Sequence, residues 1–433
     1  MEDILARAGK VAEAAEVFMA SSEETPVQFE ANRLKHVQSK QASFVALRII
    51  REGRVGYAVS TELNDRQKLI EAAVETAEFG IRAEFTLPGA TAYPRTKVFD
   101  PAVESVSLEE MVGLGSELID MVRKHTPEIL CDAEVAKGTT LVRIINSRGG
   151  ELSYRQTGFS LGIQGQLIRG TDMLFVGESQ SSCRPLSDTG AVAGVVLRQL
   201  ELAREQAPIA TKVLPTVFTP DGVASALISP LMVALNGKVV LQGASPVGNK
   251  LGEQIFDRKL SLHDDPTIGY RPQSRPGDDE GTPSQRTPLI TRGTVAGFIY
   301  DLQTAALARK KSTGNGGRHH GGLPSPTPSA FIFTAGDTAF DDMVSDIKEG
   351  LIIEQLMGAE QGNILSGDFS GNVLLGYKIE SGKIVGRVKD TMVSGNIYQL
   401  LKEITAVGSD ARWIGSSVYT PSLYCPSLSV ASK

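Results

Sequence analysis

Five histidines, His36, His125, His263, His319 and His320, are the side chains best suited to hold a transition metal or move a proton near neutral pH. Hydrolytic zinc chemistry needs such ligands close together, usually two imidazoles on one helical face beside a carboxylate base. None of the five stands in a His-Glu-x-x-His pattern. His319 and His320 are adjacent, so on a strand their rings would point to opposite faces, and the flanking Gly316-Gly317 and Gly321-Gly322 mark a mobile loop. In His263-Asp264-Asp265 the following Pro266 makes a turn opening, so a structural role is expected there.

Nucleophiles are no better assembled. Gly177-Glu178-Ser179-Gln180-Ser181 approaches the G-x-S-x-G elbow but ends in Ser where the last Gly belongs. Cys131, Cys183 and Cys425 lie far apart and read as buried small hydrophobes. No Gly-rich loop carries a Walker lysine, and no G-x-G-x-x-G opens a helix after a strand. What remains are polar glycine motifs: Gly362 to Asn372, containing Ser366 and Asp368, and Val393 to Ile397, containing Ser394 and Asn396. They read either as tight turns in a β core or as a groove where a peptide strand pairs with exposed backbone. Lys310-Lys311 and the stretch Thr313 to Arg318, with Asn315, would flank that groove, and His319 and His320 follow directly.

The chain carrying these motifs has 433 residues, enough for two or three domains with substantial cores. Hydrophobic residues at 41% and charged residues at 22% suit a folded chain and exclude disorder, and the 44 glycines follow no collagen period. The net charge of -6 gives no polyanion groove, and Arg309-Lys310-Lys311 with Arg318 reads as a solvated loop edge, so no direct nucleic-acid binding is expected. Three scattered cysteines suit a reducing cytosol, and the acidic Met1-Glu2-Asp3 start is unlike a signal peptide; the expected location is cytoplasmic. The uncharged run 222–236 is too short to span a bilayer, and 413–432 is rich in Ser, Pro and Tyr, so no membrane segment is expected.

Periodicity predicts an α+β fold. Residues 2–19 show a helical stripe that Pro26 closes, followed by strands at 27–37, 44–50 and 55–59 about a Gly53 turn. Asn64 or Asp65 caps a helix to about Phe79, and Ser107 with Glu110 forms a capping box for a helix over 107–123. Strands at 141–146 and 152–170 and a helix over 190–205 complete an N-terminal helix and antiparallel-sheet domain, residues 1–210. The β-rich C-terminal domain, 211–433, opens with a strand at 213–218 and a helix capped by Asp221 and running to Leu235. After a long loop at 264–290 come strands at 294–300, 329–333, 362–365, 373–379 and 383–388, with helices at 341–357 and 396–406.

A series of C-terminal motifs adds a second line of inference. It runs Asn249-Lys250-Leu251-Gly252, Asp264-Asp265-Pro266, Asp279-Glu280-Gly281-Thr282-Pro283, Thr313-Gly314-Asn315-Gly316, Ser366-Gly367-Asp368, Val388-Lys389, Ser394-Gly395-Asn396 and Val407-Gly408-Ser409-Asp410. In order and spacing it resembles the TldD/PmbA family, the "modulator of DNA gyrase" proteins, across roughly residues 210–431. The resemblance implies a PmbA/TldD-like fold. One branch of that family is a metallopeptidase with a helical His-Glu-x-x-x-His and a later cysteine ligand. Matched to that pattern, Ser229, Pro230 and Ala234 stand where the His, Glu and second His would be, and Ser417 or Val418 where the cysteine would be.

The chain therefore resembles the other branch, PmbA or TldE. That likeness implies no catalytic and no metal residue in this chain, with zinc expected in a TldD-type partner. It also implies a cytoplasmic two-component protease acting on unfolded peptides, and a homodimer when the chain is isolated. The alternatives are a standalone peptide- or gyrase-related binding protein and a peptidase active by itself. Ser229 as cap and Pro230 as first residue would let the degenerate helix keep a packing stripe of Leu227, Leu231 and Leu235.

Overall fold

The computed structural model describes residues 1–62, 65–359 and 362–432, with His320 described by its backbone only. One antiparallel sheet organises the N-terminal half. Its strands are β1 (Ala14–Glu30), β2 (Arg33–Val37), β3 (Lys40–Arg51), β4 (Arg54–Ser60), β5 (Leu130–Asn146), β6 (Glu151–Arg169) and β7 (Asp172–Ser182). They run in the order β4-β3-β1-β5-β6-β7, with β2 paired to the end of β1. The helices are α1 (Glu2–Ala8), α2 (Arg66–Ala77), α3 (Pro101–Ser105), α4 (Leu108–His125) and α5 (Thr189–Leu202). Alternation along β1 decides the faces: Val17 packs with Leu69, Ile70 and Ala73 of α2, and Val27 and Phe29 pack with Met111, Leu118 and Val122 of α4. Glu16 and Phe18 point to the opposite face.

Local signals set several boundaries as expected. Asp65 caps α2 by accepting from the Lys68 N–H at 3.1 Å, while Asn64, the other candidate, lies outside the described residues. Ser107 and Glu110 form the reciprocal capping box of α4. The helix expected over 2–19 is corrected: α1 stops at Ala8, and 14–19 belong to β1, which pairs with β3 on one side and β5 on the other. Two ladders outweigh the helical stripe, and the buried Ala15 and Val17 follow a period of two instead. Pro26 does not end an element. It sits where the β1 edge passes from β3, last paired at Glu24, to β2, first paired at Val27, so its missing N–H is not needed there.

The chain then continues through β8 (Lys212–Phe218), α6 (Pro220–Ala226), α7 (Ile228–Ala234), α8 (Gly237–Leu241), β9 (Leu262–Asp264), β10 (Thr287–Thr291), β11 (Thr294–Val295) and α9 (Leu302–Leu307). Next come β12 (Gly316–Gly317), β13 (Ser325–Pro326), β14 (Phe331–Phe333), α10 (Phe340–Ser345), β15 (Glu349–Met357), β16 (Asp368–Glu380), β17 (Lys383–Arg387) and β18 (Thr391–Asn396). The last elements are α11 (Ile397–Leu400), β19 (Ala406–Val407), β20 (Arg412–Ile414), β21 (Val418–Thr420) and β22 (Leu423–Ser432). Strands β15-β8-β22-β18-β16 close into a barrel because β16 also pairs with β15. A second sheet runs β11-β10-β9-β14-β21-β20, with β14 and β21 parallel.

The barrel is buried on both faces. Leu351 and Ile353 of β15 share the inner core with Phe369 and Leu428, while Ile352 points outward to Val217, Tyr377 and the α5 residues Val192 and Val196. That double burial explains a correction: the helix expected over 341–357 ends at Ser345, and 349–357 is strand, because a strand buried on both faces loses its alternation. Residues 362–365 turn rather than extend, the expected 294–300 strand reduces to Thr294 and Val295 with an isolated bridge from Ile299 to Asn236, and the helix at 396–406 is the single turn α11. The helix expected to run to Leu235 breaks at Leu227 into α6 and α7, with Thr219 rather than Asp221 as the cap. No helix among the described residues is long and apolar enough to cross a membrane.

Candidate functional site

The positions assigned by resemblance to the metal motif lie on α7. Leu227 precedes that helix, so Ser229 is its second residue and Pro230 its third, not cap and first residue as expected. Pro230 still falls in the first turn, where no N–H needs an intrahelical acceptor. Leu227, Leu231 and Leu235 form the expected stripe, at 0%, 1% and 1% exposure. Ala234 is equally buried, and its carbonyl accepts from Ser245 Oγ at 2.6 Å. Helix α6 packs against β20 and β21, and α7 follows it directly, with Ile228, Leu231 and Ala234 buried in the same large core as Val418.

The chemistry of that donor set does not fit zinc. Pro230, Ala234 and Val418 have no side-chain lone pair to give, and the hydroxyls of Ser229 and Ser417 are poor substitutes for imidazole and thiolate. Cys425 offers no replacement. Its thiol is fully buried opposite Thr216 of β8, and burial pushes its pKa up to about 12, away from the thiolate a metal requires. Among the described residues, no group of three or more His, Cys, Asp and Glu side chains is placed to hold a metal ion.

The candidate groove residues separate into two places. Asn315 and Arg318 belong to a buried polar core that joins the two halves. Glu16 of β1 and Arg48 of β3 are direct cross-strand partners, linked at 2.9 Å, and Arg48 reaches Glu280 at 2.5 Å. Arg318 donates to the other oxygen of Glu16 and to the Asp279 carbonyl. Its side chain is 1% exposed, which corrects the solvated loop edge expected for it. Asp278 accepts from the N–H groups of Glu280, Thr282 and Gly316, and Asn315 donates to Asp264 at 2.7 Å. Burial pushes Asp264 up to about 6 and raises Asp278 and Glu280, while the Arg48 charge pulls Glu280 back down and Glu16 and Glu280 hold Arg48 charged against its burial.

Ser366, Asp368, Ser394 and Asn396 lie instead on the barrel. Asp368 and Asn396 are cross-strand partners of β16 and β18 and are hydrogen-bonded at 2.8 Å, and Ser366 Oγ donates to Asp368 at 2.7 Å. Asn396 also caps α11. Hydrogen bonds from Asn396 and Ser366 lower the Asp368 pKa. These are satisfied turn and cap contacts, and among the described residues no hydrogen bond or ion pair links them to Asn315 or Arg318. His319 is exposed in a short 3₁₀ turn, and the His320 side chain lies outside the described structure. Burial, and then the Arg286 charge, lowers the pKa of His263 on β9. Ser179 lies in the middle of β7, not at an elbow.

A second polar cluster was missed by the sequence reasoning. Arg412 of β20 pairs with Glu178 of β7 at 2.6 Å and with Asp221 of α6, while Gln199 of α5 donates to Glu354 of β15 at 3.1 Å. Burial raises Glu178 and Asp221, and burial with the nearby Asp221 charge pushes Glu354 up to about 7. Glu178 stands between two open cavities, of about 1120 Å³ and 860 Å³. The available signal was Glu354 itself, a lone acid inside Leu351-Ile352-Ile353-Glu354-Gln355-Leu356. The Arg412 guanidinium thereby ties β7 of the N-terminal sheet to α6 and β20 of the C-terminal half.

Comparison with known proteins agrees with this architecture. Residues 211–432 match the PmbA/TldA metallopeptidase C-terminal domain, and residues 15–78 match PmbA/TldA metallopeptidase domain 1. An uncharacterized protein of Methanocaldococcus jannaschii is 28% identical over 90% of each chain. Metalloprotease PmbA of Escherichia coli O157:H7 is 23% identical over 97% of this chain and 92% of its own. The crystal structure of TldE from Thermococcus kodakarensis superposes with a TM-score of 0.89 at 21% identity, covering 100% of both chains, and so shares the fold.

Proposed function

This chain belongs to the PmbA/TldD family, and on that premise we propose that it is the non-catalytic subunit of a TldD/TldE-type two-component metalloprotease acting on unfolded peptides. The observation that carries this reading is the non-ligating set Ser229, Pro230 and Ala234, packed into an otherwise intact fold. Loss of every donor at once is expected of a subunit that retains the scaffold for assembly and leaves the chemistry to its partner. Zinc then belongs to a TldD-type partner, the isolated chain pairs with itself, and the complex works in the cytoplasm.

Elemental mass spectrometry on untagged protein purified without chelator tests the metal side of this proposal, together with a casein digestion assay on the same sample. Zinc well below one atom per chain and no cleavage are expected. One zinc per chain, or cleavage that a chelator stops, would show instead a peptidase active in its own right, and His263, His319 and His320 would be the residues to replace.

A further inference from the structure

The 860 Å³ cavity lies between the end of β7 and the β20 edge of the second sheet. Its wall contains Tyr270, Arg271, Trp413 and Tyr419. The Arg271 guanidinium sits over the Trp413 ring, 4.5 Å from its centroid, and the Trp413 and Tyr419 rings are 5.3 Å apart. Arg271 is half-buried, and burial works against its charge. Its neighbours on the same wall are matched by acids: Arg412 has Glu178 and Asp221, and Arg184 has Asp100 at 3.5 Å. Arg271 has no carboxylate within ion-pair distance among the described residues. With Arg184 and Arg412 matched by Asp100, Glu178 and Asp221, Arg271 is left as the cation of this lining without a counter-charge beside it among the described residues.

The backbone beneath this arginine is constrained. Tyr270 has φ 61°, a left-handed conformation that is rare for a bulky residue. It is fixed there by its N–H donating to the Lys97 carbonyl at 2.6 Å and by its carbonyl accepting from the Cys183 N–H at 3.0 Å. Arg271 is thus held beside the indole by the chain itself. A planar guanidinium stacked on an aromatic ring, with no side-chain hydrogen bond among the described residues, is suited to a bidentate carboxylate. The adjoining aromatic floor is suited to an apolar group next to that carboxylate.

We propose that this cavity binds a peptide through a carboxylate salt-linked to Arg271, with the neighbouring apolar side chain against Trp413 and Tyr419. The inference rests on the unfolded-peptide reading above and deepens it by naming the feature recognised. The carboxylate belongs either to the peptide C-terminus or to an Asp or Glu side chain, and the test separates the two.

Trp413 is the only tryptophan in the chain, so intrinsic fluorescence reports on this wall directly. The full-length protein would be titrated with N-acetyl-Ala-Ala-Phe as free acid, with its C-terminal amide, and with N-acetyl-Phe-Asp-Ala-amide. A saturable change is expected with the free acid or the Asp peptide, whichever source the site takes, and binding of the plain amide is expected to be weaker by about tenfold or more. Arg271→Gln should abolish that preference with an unchanged circular dichroism spectrum. Equal binding of acid and amide to the unaltered protein, or inorganic phosphate displacing the acid peptide at equal concentration, would overturn the proposal without reference to any variant. Failure here alongside continued stimulation of a TldD-type partner would leave the subunit role intact; loss of that stimulation would strike the role and not the Arg271 measurement.

Discussion

Arg48 and Glu280 are 232 positions apart in the chain, yet Nη1 of one lies 2.5 Å from Oε1 of the other with both side chains buried. The contact joins β3 of the N-terminal sheet to the Asp278-Asp279-Glu280 loop of the C-terminal half. Glu16 and Arg318 complete it, so two guanidinium groups meet two carboxylates out of reach of water. The two halves are therefore fastened by charge as well as by the apolar core that α5 shares with the outer face of the barrel.

Removing one member should cost far more than the pair itself contributes, because a buried charge is left without its counterion. Arg48→Met is expected to lower stability by about 3–5 kcal/mol. Glu280→Gln should cost less, about 1–3 kcal/mol, since Arg48 keeps Glu16. Urea unfolding of the two variants checks this, and indistinguishable midpoints for Arg48→Met and the parent would contradict it.

Glu354 gives a pH dependence of defined sign. Its pKa is raised from 4.5 to about 7 in the fold, by burial first and then by the Asp221 charge. Between those values the folded chain keeps a proton that the unfolded chain has released, so stability falls as pH rises through that window. Below it both states hold the proton and the difference vanishes; above it the full cost is present, about 3 kcal/mol. Glu354→Gln should remove this component, seen as a flatter stability profile between pH 5 and pH 8 in chemical denaturation. An unchanged slope would place the titration elsewhere.

At Ala234 a methyl group fills a site with almost no exposure. Ala234→His should destabilise the chain by about 1–3 kcal/mol through overpacking, and should bring no zinc with it. Thermal unfolding with and without added zinc measures both effects. A variant as stable as the parent, or one stabilised by the metal, would mean that α7 retains room for the lost ligand.

Much of the fold was legible wherever one signal acted locally. The Ser107–Glu110 capping box, the Asp65 cap and the β3–β4 hairpin follow from a few neighbouring residues. Errors gathered where long-range pairing decided the outcome. Residues 14–19 became a central strand because partners at 45–50 and 143–146 flank them, and 349–357 became strand because both its faces are buried. The candidate site divides in the same way. That Ser229, Pro230 and Ala234 bring no imidazole or carboxylate is a matter of residue type, once the resemblance has placed the motif there. The burial of Arg318 was not legible, since its partner Glu16 lies 302 positions away, and neither was the Arg412 cluster, assembled from β7, α6 and β20.

The central claim is that this chain completes a protease without cutting peptides itself, and reconstitution tests it most directly. Cleavage of an unfolded substrate such as casein would be followed with this chain alone, with a TldD-type protein from the same source alone, and with the two mixed at equal concentration. The account predicts negligible cleavage by either alone and strong, chelator-sensitive cleavage by the mixture, alongside a complex of one copy of each on gel filtration. Full activity of the TldD-type protein without this chain would contradict it.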